Sequence, residues 1–217
     1  IAGASYPAEF TAGDHFDYIP MAGATLGIVI GDVTGHGYGP ALLMVALRNH
    51  LRALIRHHDA LDEILGDANR LLSEEMEEEY FITLLMGRLD PQTRTFDYIN
   101  AGHPSGYLFD ASGEHKASLN STTIPLGVLH DLNFPPAQSV ALEPGDMLVL
   151  VTDGVLEAQR ADGAQFGEQR TLDTIRDHHR RPAREIIAAL FREARTFSGE
   201  RRIADDVTAV VVKVTVG

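Results

Sequence analysis

The chain has 217 residues, 44% of them hydrophobic, which is enough apolar surface for the core of a single domain, 1–217. Lys and Arg number 18 against 31 Asp and Glu, a net charge of −13, and the sequence shows no basic stripe of the size a nucleic-acid binder carries. The absence of Cys excludes a disulfide scaffold, a thiolate zinc site and a cysteine nucleophile, and fits a cytoplasmic protein; no apolar run approaches the ~20 residues of a membrane span.

Strands are expected first, over 1–6, 13–20 and 25–31, with Met21-Ala22-Gly23-Ala24 as a hairpin turn. The Gly-rich stretch Gly35-His36-Gly37-Tyr38-Gly39 leads to Pro40, a residue suited to a first helical position, and 41–57 reads as a helix. A second helix is expected from about Asp59 to about Glu79, where Leu61, Ile64, Leu65, Ala68, Leu72 and Met76 recur at threes and fours. The acidic run around Glu74 to Glu79 reads as a solvated face. Strands follow over 81–89 and 95–100 around Asp90-Pro91-Gln92-Thr93, then 107–109 and 147–151. Helices are expected over 168–178 and 182–197, and a Val-rich strand over 207–216. Strands, two helices, many strands, two helices and a strand do not alternate as a parallel α/β sheet does. The order predicts an α+β fold of antiparallel sheets covered by helix pairs. Ile1 is not a natural start, so this is expected to be the C-terminal part of a longer protein.

Aspartates stand at the ends of the apolar runs. Asp32 follows 28–31, Asp153 follows 148–152, and Asp205-Asp206 precede 207–216. Strand C-ends and the N-end of an antiparallel neighbour share one sheet edge, so these carboxylates can gather at one rim. With the hairpin centred between Ala22 and Gly23, paired residue numbers sum to about 45, which sets Asp14 opposite Gly31, beside Asp32. Asp17 falls opposite Ile28 and is the weaker candidate. Clustered carboxylates need cations, and oxygen-only ligands select Mg²⁺ or Mn²⁺. Two such ions about 3.5–4 Å apart can activate a water and clamp phosphoryl oxygens. Asp-Gly pairs such as Asp153-Gly154 are also ordinary turn formers, so the joint pattern carries more weight than any member.

Taken in order, these motifs resemble one family over nearly the whole chain: the bacterial stress-response and sporulation branch of the PPM (PP2C-type) phosphatases. Ala12-Gly13-Asp14-His15-Phe16-Asp17 is similar to its Gly-Gly-Asp-Phe-Tyr-Asp motif. Gly31-Asp32-Val33-Thr34-Gly35-His36-Gly37 resembles its Gly-Asp-Val-Ser-Gly-His-Gly signature. Asn100-Ala101-Gly102-His103-Pro104 and Pro125-Leu126-Gly127 match family loops, and Thr152-Asp153-Gly154 and Asp205-Asp206-Val207-Thr208 match its metal motifs. Ala12 and His15 depart from the pattern, and no basic residue matches the one that eukaryotic relatives place near the phosphate.

The resemblance implies an αββα sandwich, two antiparallel sheets flanked by helix pairs, with two Mn²⁺ or Mg²⁺ ions. By matched position Asp32 bridges both ions, the Val33 carbonyl adds a ligand, Asp153 and Asp205 complete the set, and Asp14 acts through a water of the metal shell. Asp206, Asp17 and His36 are further candidates, His36 as a proton donor or a loop-packing residue. His103 carries the same two readings, while His57-His58 and His178-His179 read as surface residues. The implied function is a phosphoserine/phosphothreonine protein phosphatase acting on an anti-anti-sigma-like regulatory protein. An N-terminal sensory or receiver domain and a homodimer are the other partners expected, with no nucleic acid and no membrane. Competing readings are a phosphatase-fold binding domain of weak activity, a phosphatase for small molecules, and a two-metal nucleotidyl cyclase. The cyclase needs basic residues for a triphosphate, and only Arg201 and Arg202 fall near the aspartates in sequence.

Overall fold

A computed structural model describes residues 1–8, 11–35, 37–76, 79–199 and 205–215. In chain order the elements are β1 (Ala2–Tyr6), β2 (His15–Pro20), β3 (Leu26–Val33), α1 (Tyr38–Leu54), α2 (Leu61–Glu75), β4 (Ile82–Asp90), β5 (Thr95–Ala101), β6 (Gly106–Phe109), β7 (His115–Leu119), β8 (Gln138–Ala141), β9 (Met147–Val151), α3 (Asp153–Leu156), α4 (Gly167–His178), α5 (Ala183–Phe197) and β10 (Val207–Lys213). The strands form two five-stranded sheets in the orders β1-β10-β9-β6-β7 and β2-β3-β4-β5-β8, and every strand pair is antiparallel. The fold is therefore α+β, as the element order predicts. No helix among the described residues is long and apolar enough to cross a membrane.

The chain divides into two compact units. The first comprises Ile1–Phe10, Pro104–Leu119 and Leu142–Gly217, and the second Thr11–His103 and Asn120–Ala141. In the second unit, α1 and α2 cover one face of the β2-β3-β4-β5-β8 sheet. Leu47, Leu51, Ile64, Leu65 and Leu72 pack there against Val29, Val33, Leu84, Met86 and Ile99. In the first unit, α4 and α5 cover the other sheet, with Ile175, Ile186, Ile187 and Leu190 against Val149, Val151, Ala209 and Val211. The alternate residues of the central strands, Ile28, Ile30, Leu85, Leu148, Leu150 and Val210, are buried as well. Burial on both faces explains why these strands read as continuous apolar runs rather than alternating ones.

Several expectations shift. The first hairpin pairs His15 with Gly31 and Asp17 with Val29, so paired numbers sum to 46 and not to about 45. A short 3-10 turn over Ala22–Ala24, with Gly23 at φ 70° and Ala24 at φ 59°, lengthens the connection by one residue and moves its centre onto Gly23. α1 starts at Tyr38, so Pro40 is its third residue, still in the first turn where no backbone donor is required. α2 starts at Leu61 and ends at Glu75, α5 starts after Pro182, and β10 ends at Lys213. β7 and β8 were not predicted. They are polar strands at sheet edges, and Gln138, Ser139 and Ala141 are exposed, so no apolar pattern marks them.

Candidate metal centre

In the second unit the site is built at the end of β3. Period-two alternation puts Val29 and Val33 on the helix-covered face, and Asp32 on the opposite one with Ile28 and Ile30. Asp14 precedes β2 and is buried; the observed register carries it one step beyond the His15–Gly31 pair, to the level of Asp32. Gly13 shows what converges there. A Cβ on Gly13 would lie 3.1 Å from the Asp32 Oδ1 and 3.2 Å from the Val33 carbonyl oxygen. A carboxylate oxygen and a backbone oxygen thus meet over one small volume that a side chain would fill. That is the donor type a hard divalent cation takes.

The strand beside Asp32 is braced. Thr83 pairs with Asp32 across β3 and β4, and its hydroxyl lies 3.0 Å from the Nδ1 of His103. His103 is buried, and its backbone N–H donates to the Asn100 Oδ1 at 2.8 Å. A Cβ on Gly102, at φ +69°, would collide with Pro125 at 2.5 Å. The two loop motifs around Asn100 and Pro125 therefore pack on each other, and His103 reads as a brace.

Asp17 points the other way, because its partner Val29 faces the helices. Its carboxylate accepts two hydrogen bonds of 2.6 Å from Arg52 on α1, with Arg48 at 3.3 Å. Burial alone would raise its pKa. The Arg52 hydrogen bonds, the Tyr18 N–H and the two arginine charges outweigh it, so the carboxyl titrates below its ordinary value. Burial lowers the pKa of His15, and the Arg48 and Arg52 charges add to this against the pull of Asp17. His36 lies outside the described residues. Arg48 and Arg52 were missed from sequence; their signal is a four-residue spacing on the helix face that meets β2.

In the first unit Asp153 begins α3 directly after β9. Its Oδ1 is withdrawn from solvent and has no hydrogen-bond partner among the described residues. Burial, then the charge of Asp205, then that of Glu157 raise its pKa. Asp205 is exposed, while Asp206 is buried and accepts a 2.7 Å hydrogen bond from the Ala8 N–H. Of this pair, then, Asp206 ties down the chain and Asp205 shares the field of Asp153. Gly154 is not a turn residue. A Cβ there would lie 1.9 Å from the Asp206 carbonyl oxygen, so only glycine lets α3 approach the start of β10. Thr152 and Thr208 lock the same strand ends, each N–H bonded to the other residue at 3.0 Å.

A desolvated, unpartnered carboxylate oxygen beside like charges fits a cation, as does the oxygen pair over Gly13. Among the described residues no three His, Asp or Glu side chains form a ready metal cluster.

The sequence profile of stage II sporulation protein E (SpoIIE) matches residues 22–215. Protein IcfG of Synechocystis sp. is 30% identical, over 78% of this chain and 31% of its own length. Phosphoserine phosphatase RsbU of Bacillus subtilis is 26% identical, over 98% of this chain and 62% of its own. The chain thus spans less than two thirds of either relative. Among solved structures, the SiaA-PP2C domain of Pseudomonas aeruginosa is similar with a TM-score of 0.85 and 25% identity, over 98% of this chain and 84% of that one. A profile match across most of the length, on a shared fold, means that the chain belongs to the SpoIIE family of PP2C-type phosphatase domains.

Proposed function

We propose that residues 1–217 act as a metal-dependent phosphatase that hydrolyses phosphoserine or phosphothreonine on a regulatory protein. The observation that carries this reading is the convergence of the Asp32 Oδ1 and the Val33 carbonyl oxygen over Gly13. Asp32, the Val33 carbonyl, Asp153 and Asp205 would hold two Mn²⁺ or Mg²⁺ ions. Such ions, when bound, lower the pKa of water and neutralise phosphoryl oxygens. Asp14, buried at the level of Asp32, is the carboxylate set to orient water and take up a proton. Asp206 holds the Asp205 backbone in place through Ala8. Two proteins that share the fold at low identity support the choice of ions: RsbX is described with magnesium (TM-score 0.67, 16% identity) and PstP with two manganese ions (TM-score 0.69, 17% identity).

The substrate reading rests on RsbU, which is named a phosphoserine phosphatase. An anti-anti-sigma-like phosphoprotein in the cytoplasm is the substrate class, with a sensory or receiver domain N-terminal to this chain, and a homodimer as the assembly. The test is hydrolysis of phosphoserine, phosphothreonine and phosphotyrosine peptides in Mn²⁺ and again in chelator. Serine and threonine turnover that stops on chelation and in Asp32→Ala supports the reading. Turnover that persists in chelator overturns it, and binding of a phosphoprotein without turnover favours a regulatory domain of weak activity.

A further inference from the structure

Asn69 lies in the middle of α2, on its buried face, and is completely inaccessible. A buried amide costs folding free energy unless its polar atoms are matched. Here they are matched on a single loop. The side-chain Oδ1 accepts from the Gly127 N–H at 2.9 Å, and the Nδ2 donates to the carbonyls of Leu129 and His130, each at 2.9 Å. Between these anchors Val128 and Leu129 are exposed. Gly127 sits at φ +85° with its backbone against Met76 and Tyr80, so the loop reaches α2 only along a path that glycine allows.

The residue just before this anchor connects it to the site. Leu126 and Ile82 exchange both backbone hydrogen bonds, each at 2.9 Å. On its other side Ile82 pairs with Val33, and the Thr34 N–H donates to the Phe81 carbonyl at 3.1 Å. Three backbone segments thus lie side by side: Val33-Thr34, Phe81-Ile82 and Leu126. Asn69 pins the outermost one, and the innermost carries the carbonyl oxygen that converges with Asp32.

We infer that Asn69 is a positioning residue for the Val33 carbonyl, acting through the loop of Leu126 and Gly127. The inference rests on the proposed metal reading and adds a residue that no motif contains. Groups that orient metal ligands from outside the first layer change affinity by about 10–100-fold, and a residue this many contacts removed belongs at the low end.

The test is calorimetric titration of the chain with Mn²⁺, together with amide hydrogen exchange in the presence and absence of Mn²⁺. Asn69→Leu removes all three hydrogen bonds, and Asn69→Asp keeps only the acceptor for Gly127. Each is expected to weaken Mn²⁺ binding about tenfold, at the low end of outer-layer effects. Ile64→Ala, at another fully buried position of α2, lowers the melting temperature but is expected to leave Mn²⁺ affinity unchanged. Because coupling is reciprocal, Mn²⁺ must also slow exchange of the Leu126 and Gly127 amides in the unmutated chain, a readout that survives if a variant does not fold. Unchanged affinity in folded Asn69 variants, an equal loss in Ile64→Ala, or no protection of these amides overturns the inference while Asp32→Asn still abolishes binding. A chain that binds no Mn²⁺ overturns both this inference and the proposed function.

Discussion

Asp153 shows how a site residue works against the fold that holds it. Its pKa is raised by burial and by the charges of Asp205 and Glu157, so the folded chain holds this proton more tightly than the unfolded one. The stability it contributes is therefore full below the ordinary carboxylate range and is lost as pH rises through the raised value. At neutral pH without metal the ionised group is destabilising, and Asp153→Asn should raise the melting temperature in chelator. A relief of about 1 kcal/mol corresponds to about 2–4 °C for a chain of this size. Thermal melts in chelator and in Mn²⁺ check this, since the gain should vanish or reverse once metal stabilises the unmutated chain. Asp17 has the opposite sign. Its pKa is lowered, so its contribution is present above the ordinary value of 3.8 and is lost as pH falls through the depressed one. Arg52 is partly exposed, which screens the pair, and Asp17→Ala should cost about 1–2 kcal/mol. Denaturant melts read that cost. Calorimetry should show Asp17→Ala weakening Mn²⁺ binding far less than Asp32→Asn does, because Asp17 is spent on α1. A loss as large as that of Asp32→Asn would make Asp17 a ligand after all.

At the scale of elements, the glycines beside the aspartates explain why the strands can end where they do. Gly31 brings β3 against β4 so closely that a Cβ would lie 2.6 Å from the Leu84 Cδ1 and 2.8 Å from the Thr83 carbonyl oxygen. Gly154 does the same for α3 against the start of β10, where the obstacle is backbone and cannot swing away. Gly154→Ala should therefore displace Asp205 and Asp206 while leaving the two cores intact. A displacement of about 1 Å costs on the order of 10²-fold in turnover. Peptide phosphatase assays beside a near-native circular dichroism spectrum check this, and unchanged turnover would mean that the approach is not needed. α5 was legible in the sequence because Ile186, Ile187, Leu190 and Ala194 recur at helical spacing on one face. α3 was not, since a four-residue helix has no periodicity and Asp-Gly reads equally well as a turn.

For the whole molecule, the net charge of −13 makes cation binding a stability question. A ligand that binds only the folded chain stabilises it by about 2.7 kcal/mol at a hundredfold excess over its dissociation constant. Saturating Mn²⁺ should raise the melting temperature, chelator should restore the lower value, and Asp32→Asn should abolish the shift. An equal shift in Asp32→Asn would locate the stabilising ions elsewhere on the acidic surface.

The sequence by itself determined the α+β class, the covering helix pairs, the family and the aspartates at strand ends. These are properties of local periodicity and residue type, and they survive an error of one residue in register. Only the tertiary structure decided which side of β2 each aspartate takes. A single added residue in the first hairpin moved Asp14 to the level of Asp32 and turned Asp17 toward Arg52, because strand faces alternate with a period of two. That Asp206 is tied down while Asp205 is exposed likewise needed the Ala8 N–H, nearly the whole chain length away. Asn69 was invisible for the same reason: an Asn on an apolar helix face looks like an interruption until the loop carbonyls that satisfy it are in place.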